Sequence, residues 1–292
     1  MLGIFLALPE KARAAACCGG GFAAPSLIAG DDLAIFTASY AYTAIKKDVY
    51  PDGLWRNRDF SESSQTIKLE GAHIFFDRFQ AGVSLPVVIR TRQEKAAVGL
   101  GDTALTMGYE YLTDWDYNPW RPRALGYLQL VAPTGRAIQE AGAVYQLDSR
   151  GRGFWALGIG TLLTKAWGNL DVFSSLDVRR SFAREYANAV SAGRLVPGWG
   201  GGVAFGAGYS LGEFRLGPSL NFSYEDPIRV EGTAASRGAP ERYATFILAA
   251  SYLMGDSYAA TLSYSDQTLF GSPVNTRLGR GIAIQLQRRW AR

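Results

Sequence analysis

The sequence predicts an all-β protein, a transmembrane antiparallel up-and-down β-barrel of about 12 strands. Three observations predict this class. Apolar and polar residues alternate with period two in run after run, the connections between runs alternate in length, and aromatic residues lie near the predicted strand ends. In the run 203–211, for example, large apolar residues at Val203, Phe205, Tyr209 and Leu211 are separated by Gly, Ala or Ser. Such a strand has one apolar face and one small or polar face.

About a dozen period-two runs follow one another along the chain. They lie near residues 33–45, 64–76, 79–91, 101–113, 122–133, 153–166, 169–183, 201–211, 213–224, 243–254, 257–266 and 281–290. Most could cross a bilayer as tilted strands, which takes about 9 to 11 residues, and no segment reaches the roughly 18 apolar residues of a spanning helix. A soluble β-sandwich has the same period and is the alternative class.

The connections favour the barrel over the sandwich. Tight turns are predicted at 77–78, 168–169, 212–213 and 255–256, with a longer one at 114–119. Long connections are predicted at 46–63, 92–100, 134–152, 184–200, 225–242 and 267–280. Strict alternation, with both termini on the short side, is typical of a barrel in the outer membrane of a Gram-negative bacterium. We therefore expect periplasmic termini, long loops outside the cell, and outer-membrane lipids as partners of the wall.

Aromatic residues and the last strand agree with this prediction. The predicted interfacial girdles contain Trp55, Tyr117, Trp120, Trp155, Trp167, Trp199, Tyr224, Tyr258 and Trp290. In the last run Ile282, Ile284, Leu286 and Trp290 share one face. The run resembles the aromatic-terminated strand that the barrel-assembly machinery recognises, with Trp290 as the assembly signal, although any amphipathic edge strand that ends in Trp has the same pattern.

The N-terminal region divides into two predicted parts before the barrel at 33–292. Residues 1–16 resemble a signal peptide, with an apolar start and small residues at 12–16. A frayed apolar N-terminus is the less favoured alternative. Residues 17–32 form a periplasmic segment or a plug in the lumen. Cys17 and Cys18 leave three alternatives: a retained periplasmic terminus, lipidation of Cys17, or metal binding. Two thiols without a neighbouring His or Cys make an incomplete metal site, so we predict no metal and no cofactor.

Three Gly-rich motifs carry a resemblance to a known family. They are GLGD at 99–102, LVAPTG at 130–135 and DSRGRGFW at 148–155. In this order and spacing, the chain resembles the meta-pathway phenol-degradation family of outer-membrane transporter-like proteins over about residues 99–185. The resemblance implies a passive channel for small compounds, among them hydrophobic or aromatic ones. From their residue types alone, we interpret Gly99, Gly101, Asp102, Pro133, Thr134 and Gly135 as turn and strand-end residues rather than ligand contacts.

The alternation also assigns polar side chains to the lumen. If the large apolar neighbours meet lipid, the candidates for lining a pore are Lys68, Glu70, Arg90, Glu110, Asp171, Asp177, Arg179, Arg215, Asn221, Gln285 and Gln287. Both charge signs are present. They could set the selectivity of a water-filled channel, or they could form salt bridges that brace and close the wall.

Other function classes have little support in the sequence. The formal net charge is +4 with basic and acidic residues interleaved, which argues against nucleic acid as a partner. His73 is the single histidine and shares the face of Ile67, Leu69 and Phe75, so we predict no enzyme and no catalytic residue. The sequence therefore predicts an outer-membrane channel or transporter for a small-molecule solute. The alternative is a closed structural or surface-binding barrel.

Overall fold

Long antiparallel strands build the wall of the molecule. The computed structural model describes residues 26–115, 118–187, 192–232 and 235–292. The strands of these residues are β1 (Asp32–Val49), β2 (Trp55–Phe75), β3 (Phe79–Arg92), β4 (Lys95–Leu100), β5 (Thr103–Leu112), β6 (Arg123–Ala132), β7 (Ala156–Trp167), β8 (Leu170–Ser181), β9 (Arg184–Ala187), β10 (Ala192–Val196), β11 (Trp199–Leu211), β12 (Phe214–Glu225), β13 (Arg229–Gly232), β14 (Ser236–Arg237), β15 (Glu241–Met254), β16 (Tyr258–Asp266) and β17 (Thr276–Ala291). Two short 3-10 turns lie at Ile138–Glu140 and Val144–Gln146.

Some predicted features lie outside the described residues. These are the signal-like segment 1–16, the Cys17–Cys18 pair and Tyr117. In the described part of the chain, no helix is both long and apolar enough to cross a membrane.

The strands close into a ring. Neighbours pair in the order β2, β1, β17, β16, β15, β12, β11, β8, β7, β6, β5 and β3, and β3 pairs again with β2. β4 and β5 pair with successive parts of β3, at Val87–Arg92 and Phe79–Ser84, and so share one place in the wall. The result is a closed antiparallel barrel of 12 strands. The predicted fold class is confirmed, and each predicted run contributes a wall strand.

Short hairpins and the first wall residues lie at one rim, which we call the terminal rim. Asp32 at the start of β1 pairs there with Ala291 at the end of β17. Three hairpins of this rim turn at glycines with positive φ, Gly168, Gly212 and Gly255, with φ of 56°, 60° and 65°. A glycine adopts these angles without the steric cost that a Cβ would add, so each turn can be tight.

The opposite rim, the loop rim, contains more strand than the sequence predicted. The predicted long loops at 46–63 and 92–100 are wrong in most of their length, because β1 and β2 continue to a turn at 50–54 and β4 occupies residues 95–100. The predicted loops at 184–200 and 225–242 contain β9, β10, β13 and β14, which form a second sheet of four strands. Continued pairing gives the backbone groups of these long excursions their hydrogen-bond partners.

The two faces of the wall differ as the alternation predicts. Large apolar side chains are exposed on the outer face in every wall strand, for example Leu176, Phe205, Leu262 and Ile284. Outer-face aromatic residues lie near both rims, with Trp167, Tyr258 and Trp290 at the terminal rim and Trp155, Trp199 and Tyr224 at the loop rim. This arrangement matches the apolar band and paired girdles of a barrel in a bilayer. Trp55 lies in the β1–β2 extension, beyond the ring.

A charge placed on the outer face tests the lipid-facing assignment. Leu262 lies in the middle of β16, is 54% exposed and faces outward, whereas Ser263 faces the lumen. We expect Leu262→Arg to lower the free energy of unfolding by about 2–4 kcal/mol, because an arginine at the bilayer midplane loses its hydration. Ser263→Arg is the matched control and should cost much less. Urea titration of the barrel folded in lipid vesicles measures both, and equal losses would contradict the assignment.

Candidate functional site: the lumen

All of the predicted pore-lining residues lie on the lumen face of the wall. Eight of them are charged, and each of these forms an ion pair: Lys68 with Glu70, Arg90 with Glu62, Glu110 with Arg123, Asp171 with Arg215, and Asp177 and Glu225 with Arg179. Among the neutral ones, Gln287 donates to Thr37 Oγ1 at 3.3 Å, Gln285 is partly exposed, and Asn221 lies opposite Ala204. Most lumen charge is therefore neutralised within the wall.

One buried pair crosses from β8 to β12. Arg215 donates from Nε to Asp171 Oδ2 at 2.7 Å and from Nη2 to Asp171 Oδ1 at 2.5 Å, and their side chains are 7% and 5% exposed. The guanidinium reaches across β11 by lying on Gly208, where an added Cβ would come within 2.1 Å of it. The glycine is needed for this close approach.

A carboxylate near the loop rim forms ion pairs with three arginines. Glu62 contacts Arg58 at 2.5 Å, Arg90 at 2.9 Å and Arg277 at 3.0 Å, and its side chain is 3% exposed. Arg58 also bonds Asp48. The sequence does not predict this cluster, because residues 46–63 read as a loop, and alternation does not tell which way a loop side chain faces.

The connection between β6 and β7 folds into the lumen. We call residues 133–154 the inward loop. It accepts a hydrogen bond from Arg90 of β3 at the Ser149 carbonyl, at 2.9 Å, and its Arg152 contacts Glu225 of β12 at 2.5 Å. β3 and β12 lie six places apart in the ring of 12 strands, on opposite walls. The inward loop therefore bridges the lumen near the loop rim.

Asp102, at the break between β4 and β5, fastens the inward loop to the wall. Its Oδ1 accepts the N–H of Gly135 at 3.0 Å, and its Oδ2 accepts those of Arg152 at 2.6 Å and Gly153 at 3.3 Å. A Cβ at Gly151 would lie 2.3 Å from Asp102 Oδ1, so the glycine permits the contact. The three motifs at 99–102, 130–135 and 148–155 thus meet in space.

The neighbouring motif residues complete this junction. Thr134 donates to the Gly101 carbonyl at 2.5 Å and accepts the Thr103 N–H at 3.0 Å, both through Oγ1. Pro133 follows the last residue of β6, where its missing N–H costs no ladder bond. At Gly99, a Cβ would lie 2.4 Å from the Arg150 guanidinium. These residues are more than turn formers, because they join the wall to the inward loop.

Within the inward loop, Asp148 joins distant parts of the loop by hydrogen bonds. Its carboxylate accepts from Arg136 at 2.6 Å and from the N–H groups of Gly142 and Ala143, each at 3.1 Å. Burial alone raises the pKa of Asp148, but these hydrogen bonds outweigh burial and lower the pKa from 3.8 to about 2.

The lowered pKa predicts acid resistance of the inward loop. The folded pKa lies below the unfolded value, so the stabilisation by Asp148 is complete above about pH 4 and is lost as the pH falls through about 2. We expect single-channel conductance to change little between pH 6 and pH 4 and to rise as the loop loosens below about pH 3. Asp148→Asn has no charge to lose, and should therefore conduct more at pH 6 and lack the acid step. An acid step of unchanged size in the variant would contradict this role.

The first described residues lie inside the barrel. We call residues 26–31 the luminal segment. Gln80 of β3 accepts the Ile28 N–H at 2.6 Å and donates to the Ile28 carbonyl at 3.2 Å. Ile28 is 1% exposed and packs against Ala72 and Ile74 of β2. At the terminal rim, Arg123 donates a hydrogen bond to the Ala29 carbonyl at 3.1 Å, so the luminal segment occupies the lumen there. Of the segment 17–32, for which a plug is one predicted alternative, only residues from 26 onward are described.

A glycine-to-alanine change tests whether the luminal segment can be displaced. A Cβ at Gly82 would lie 2.1 Å from the Ser26 carbonyl oxygen, closer than van der Waals contact allows. We therefore expect Gly82→Ala to push the luminal segment off the wall. The readout is maleimide labelling of Ile28→Cys in a chain whose Cys17 and Cys18 are serine. Labelling should become at least several-fold faster with Gly82→Ala. Gly126→Ala on β6, where the added Cβ would only reach Tyr111 at an ordinary 3.5 Å, is the control and should leave the rate unchanged.

A cavity of about 630 Å³ lies in the lumen beside the inward loop. Its wall side includes Ser64, Val88, Arg90, Gln129, Val131, Ala156, Arg179 and Ser181, and its loop side includes Ser149, Arg150, Gly151, Arg152 and Phe154. Arg150 and Arg152 were not among the predicted pore-lining residues. They belong to a motif in the sequence, but strand alternation gives no facing inside a loop.

Two further residues with predicted positions lie on the outer face. His73 is exposed there, with its ring 4.6 Å from that of Phe75. Trp290 is exposed near the terminal rim, and its role as an assembly signal stays a prediction. Among the described residues, no group of three or more His, Cys, Asp or Glu is arranged to hold a metal ion.

The closed 12-stranded wall, its apolar outer face and its polar, partly filled lumen define a β-barrel with the fold of outer-membrane channels. A solved structure of the COG4313 outer-membrane channel from Pseudomonas putida F1 is similar, with a TM-score of 0.73 at 16% identity over 89% of this chain and 96% of that one. More distant is the KdgM porin, with a TM-score of 0.42 at 11% identity over 86% of this chain and 98% of that one. A deletion mutant of the TodX monoaromatic hydrocarbon channel has a TM-score of 0.48 at 9% identity over 90% of this chain and 91% of that one. Neither a protein-family model nor a curated protein matches the chain.

Proposed function

We propose that this protein is a bacterial outer-membrane channel through which small solutes move passively, with its termini in the periplasm. The observation that carries the proposal is the closed wall with an apolar outside and a polar lumen that retains a cavity of about 630 Å³. The fold shared with the COG4313 channel supports it over nearly the whole chain. The short hairpins at the terminal rim and the larger loop structures opposite support the orientation.

The solute class follows from the lumen and from the family resemblance. The cavity combines polar groups with apolar side chains of Val88, Val131 and Phe154, so it can hold a compound with an apolar part. The resemblance to the phenol-degradation family suggests aromatic compounds as the first solutes to test. We therefore place small compounds, including hydrophobic and aromatic ones, in the proposed solute range.

Conductance decides whether the lumen forms a path. The full chain is reconstituted in planar bilayers in KCl, and flux of small neutral solutes is measured in liposomes. We expect discrete current steps that rise when Gly82→Ala displaces the luminal segment. Absence of both current and flux, in the wild type and in the variant, would overturn the channel proposal.

A closed barrel is the second candidate, and a specific observation favours it. The luminal segment and the inward loop both lie in the lumen, one near each rim. Ion pairs also join the charged side chains of the lumen to one another. In that case the function lies in the surface of the loop rim, where the second sheet presents exposed Arg194, Arg229 and Glu231. The conductance experiment separates the two candidates.

A further inference from the structure

Arginines make up most of the charged lining of the cavity beside the inward loop. Of its lining residues, Arg90, Arg150, Arg152 and Arg179 carry positive charge, and Asp102 alone among the described ones carries negative charge. Both oxygens of Asp102 are already occupied by backbone N–H groups of the inward loop. The charge that faces the cavity is therefore predominantly positive.

The carboxylates behind these arginines are shared and do not cancel them singly. Glu62 pairs with Arg90 and with two further arginines, and Glu225 pairs with both Arg152 and Arg179. Asp177 lies 3.4 Å from Arg179 and Glu241 lies 3.9 Å from Arg152, both longer contacts, and Arg150 pairs with no carboxylate among the ion pairs of the described residues. A carboxylate that divides its two oxygens among several guanidiniums leaves donors of each free for another acceptor.

Arg150 is the clearest case of unused donor capacity. Its Nη1 donates to the Val98 carbonyl at 3.0 Å, a neutral acceptor, and its buried Nε has no hydrogen-bond partner among the described residues. A buried donor without a partner costs free energy that a bound acceptor would recover. Arg150 lies on the inward loop beside Arg152, whose side chain is 46% exposed.

The same cavity has an apolar portion. Phe154 is 3% exposed and forms one side, and Val88 and Val131 face it from β3 and β6. A volume of about 630 Å³ lies within the range of about 300–1,000 Å³ that small-molecule sites occupy. The lining offers guanidinium groups for an anionic head and an aromatic and aliphatic surface for a small apolar body.

We propose that this cavity is a binding site for a small organic anion with an apolar body, of the aromatic carboxylate type, on the path through the barrel. The inference rests on the proposed channel function and narrows its solute class. Arg150 and Arg152 contact the carboxylate, and the inward loop positions them. A neutral compound of the same shape gains only the apolar part of the interaction.

Bilayer recordings with matched probes test the site. Benzoate, benzyl alcohol and benzylamine share one aromatic ring and differ in charge, and each is titrated against the KCl current of the wild-type channel. Benzoate should block at a concentration at least about tenfold lower than the other two, as one charge-assisted hydrogen bond allows. Arg150→Gln and Arg152→Gln should each raise the half-blocking benzoate concentration about tenfold and leave benzyl alcohol unchanged.

Arg194→Gln is the matched control, because Arg194 is exposed on β10 and does not line the cavity. Its benzoate block should stay within twofold of the wild type. Equal block by benzoate and benzyl alcohol in the wild type would overturn the anion site while the KCl current still upholds the channel. An absent KCl current together with absent solute flux would overturn the channel itself, and with it this site. The wild-type comparison needs no variant, so it decides the proposal even if a substitution impairs folding.

Discussion

Asp102→Ala is expected to raise the single-channel conductance several-fold. The change removes the acceptor of three backbone N–H groups, those of Gly135, Arg152 and Gly153. A buried donor left without a partner costs about 1–3 kcal/mol, so the inward loop gains by moving to water and leaving the lumen. Planar-bilayer recordings measure the conductance. Trypsin cleavage after Arg150 or Arg152 in the folded barrel measures release of the loop independently.

Conservative variants separate release of the inward loop from general damage. Asp102→Asn retains one acceptor oxygen and should change conductance less than Asp102→Ala. Gly151→Ala should also raise the conductance, because its added Cβ would come within 2.3 Å of Asp102 Oδ1 and push the inward loop away from the wall. Asp59→Ala, an exposed position in the β1–β2 extension, is the matched control. Wild-type conductance and trypsin resistance in Asp102→Ala would contradict the proposed junction.

The wall could be predicted because the two sides of a barrel have different solvents. Each wall residue faces either lipid or the lumen, so a period of two appears in every strand. This period assigns Asp171 and Leu176 to opposite faces from the sequence alone. The hairpins could be predicted for a different reason. A two-residue connection between antiparallel strands needs turn residues such as Gly168 and Gly212.

The loop rim and the inward loop could not be predicted in this way. Contacts between Asp102 and Gly135, or between Arg152 and Glu225, join residues far apart in sequence and depend on a loop path without periodicity. The motif residues were assigned to turns because their types suit turns, and this chemistry does not reveal that three motifs meet. Glu62 could not be assigned for a related reason: the sequence predicts a long connection at 46–63, whereas β1 and β2 continue as paired strands there.

A double-mutant cycle on the Asp171–Arg215 pair should give the largest stability effect. Both side chains are buried and joined by two short hydrogen bonds. Asp171→Leu or Arg215→Leu alone removes one member of the ion pair, leaves the other charge buried, and should lower the free energy of unfolding by about 3–5 kcal/mol. The double variant removes both charges and should regain most of that loss. The exposed pair Arg194–Glu185, 3.9 Å apart, is the control and should couple by at most about 1 kcal/mol. Urea unfolding in lipid vesicles measures both cycles. A coupling for Asp171–Arg215 no larger than the control would mean that these lumen charges do not brace the wall, and that they remain available to a passing solute.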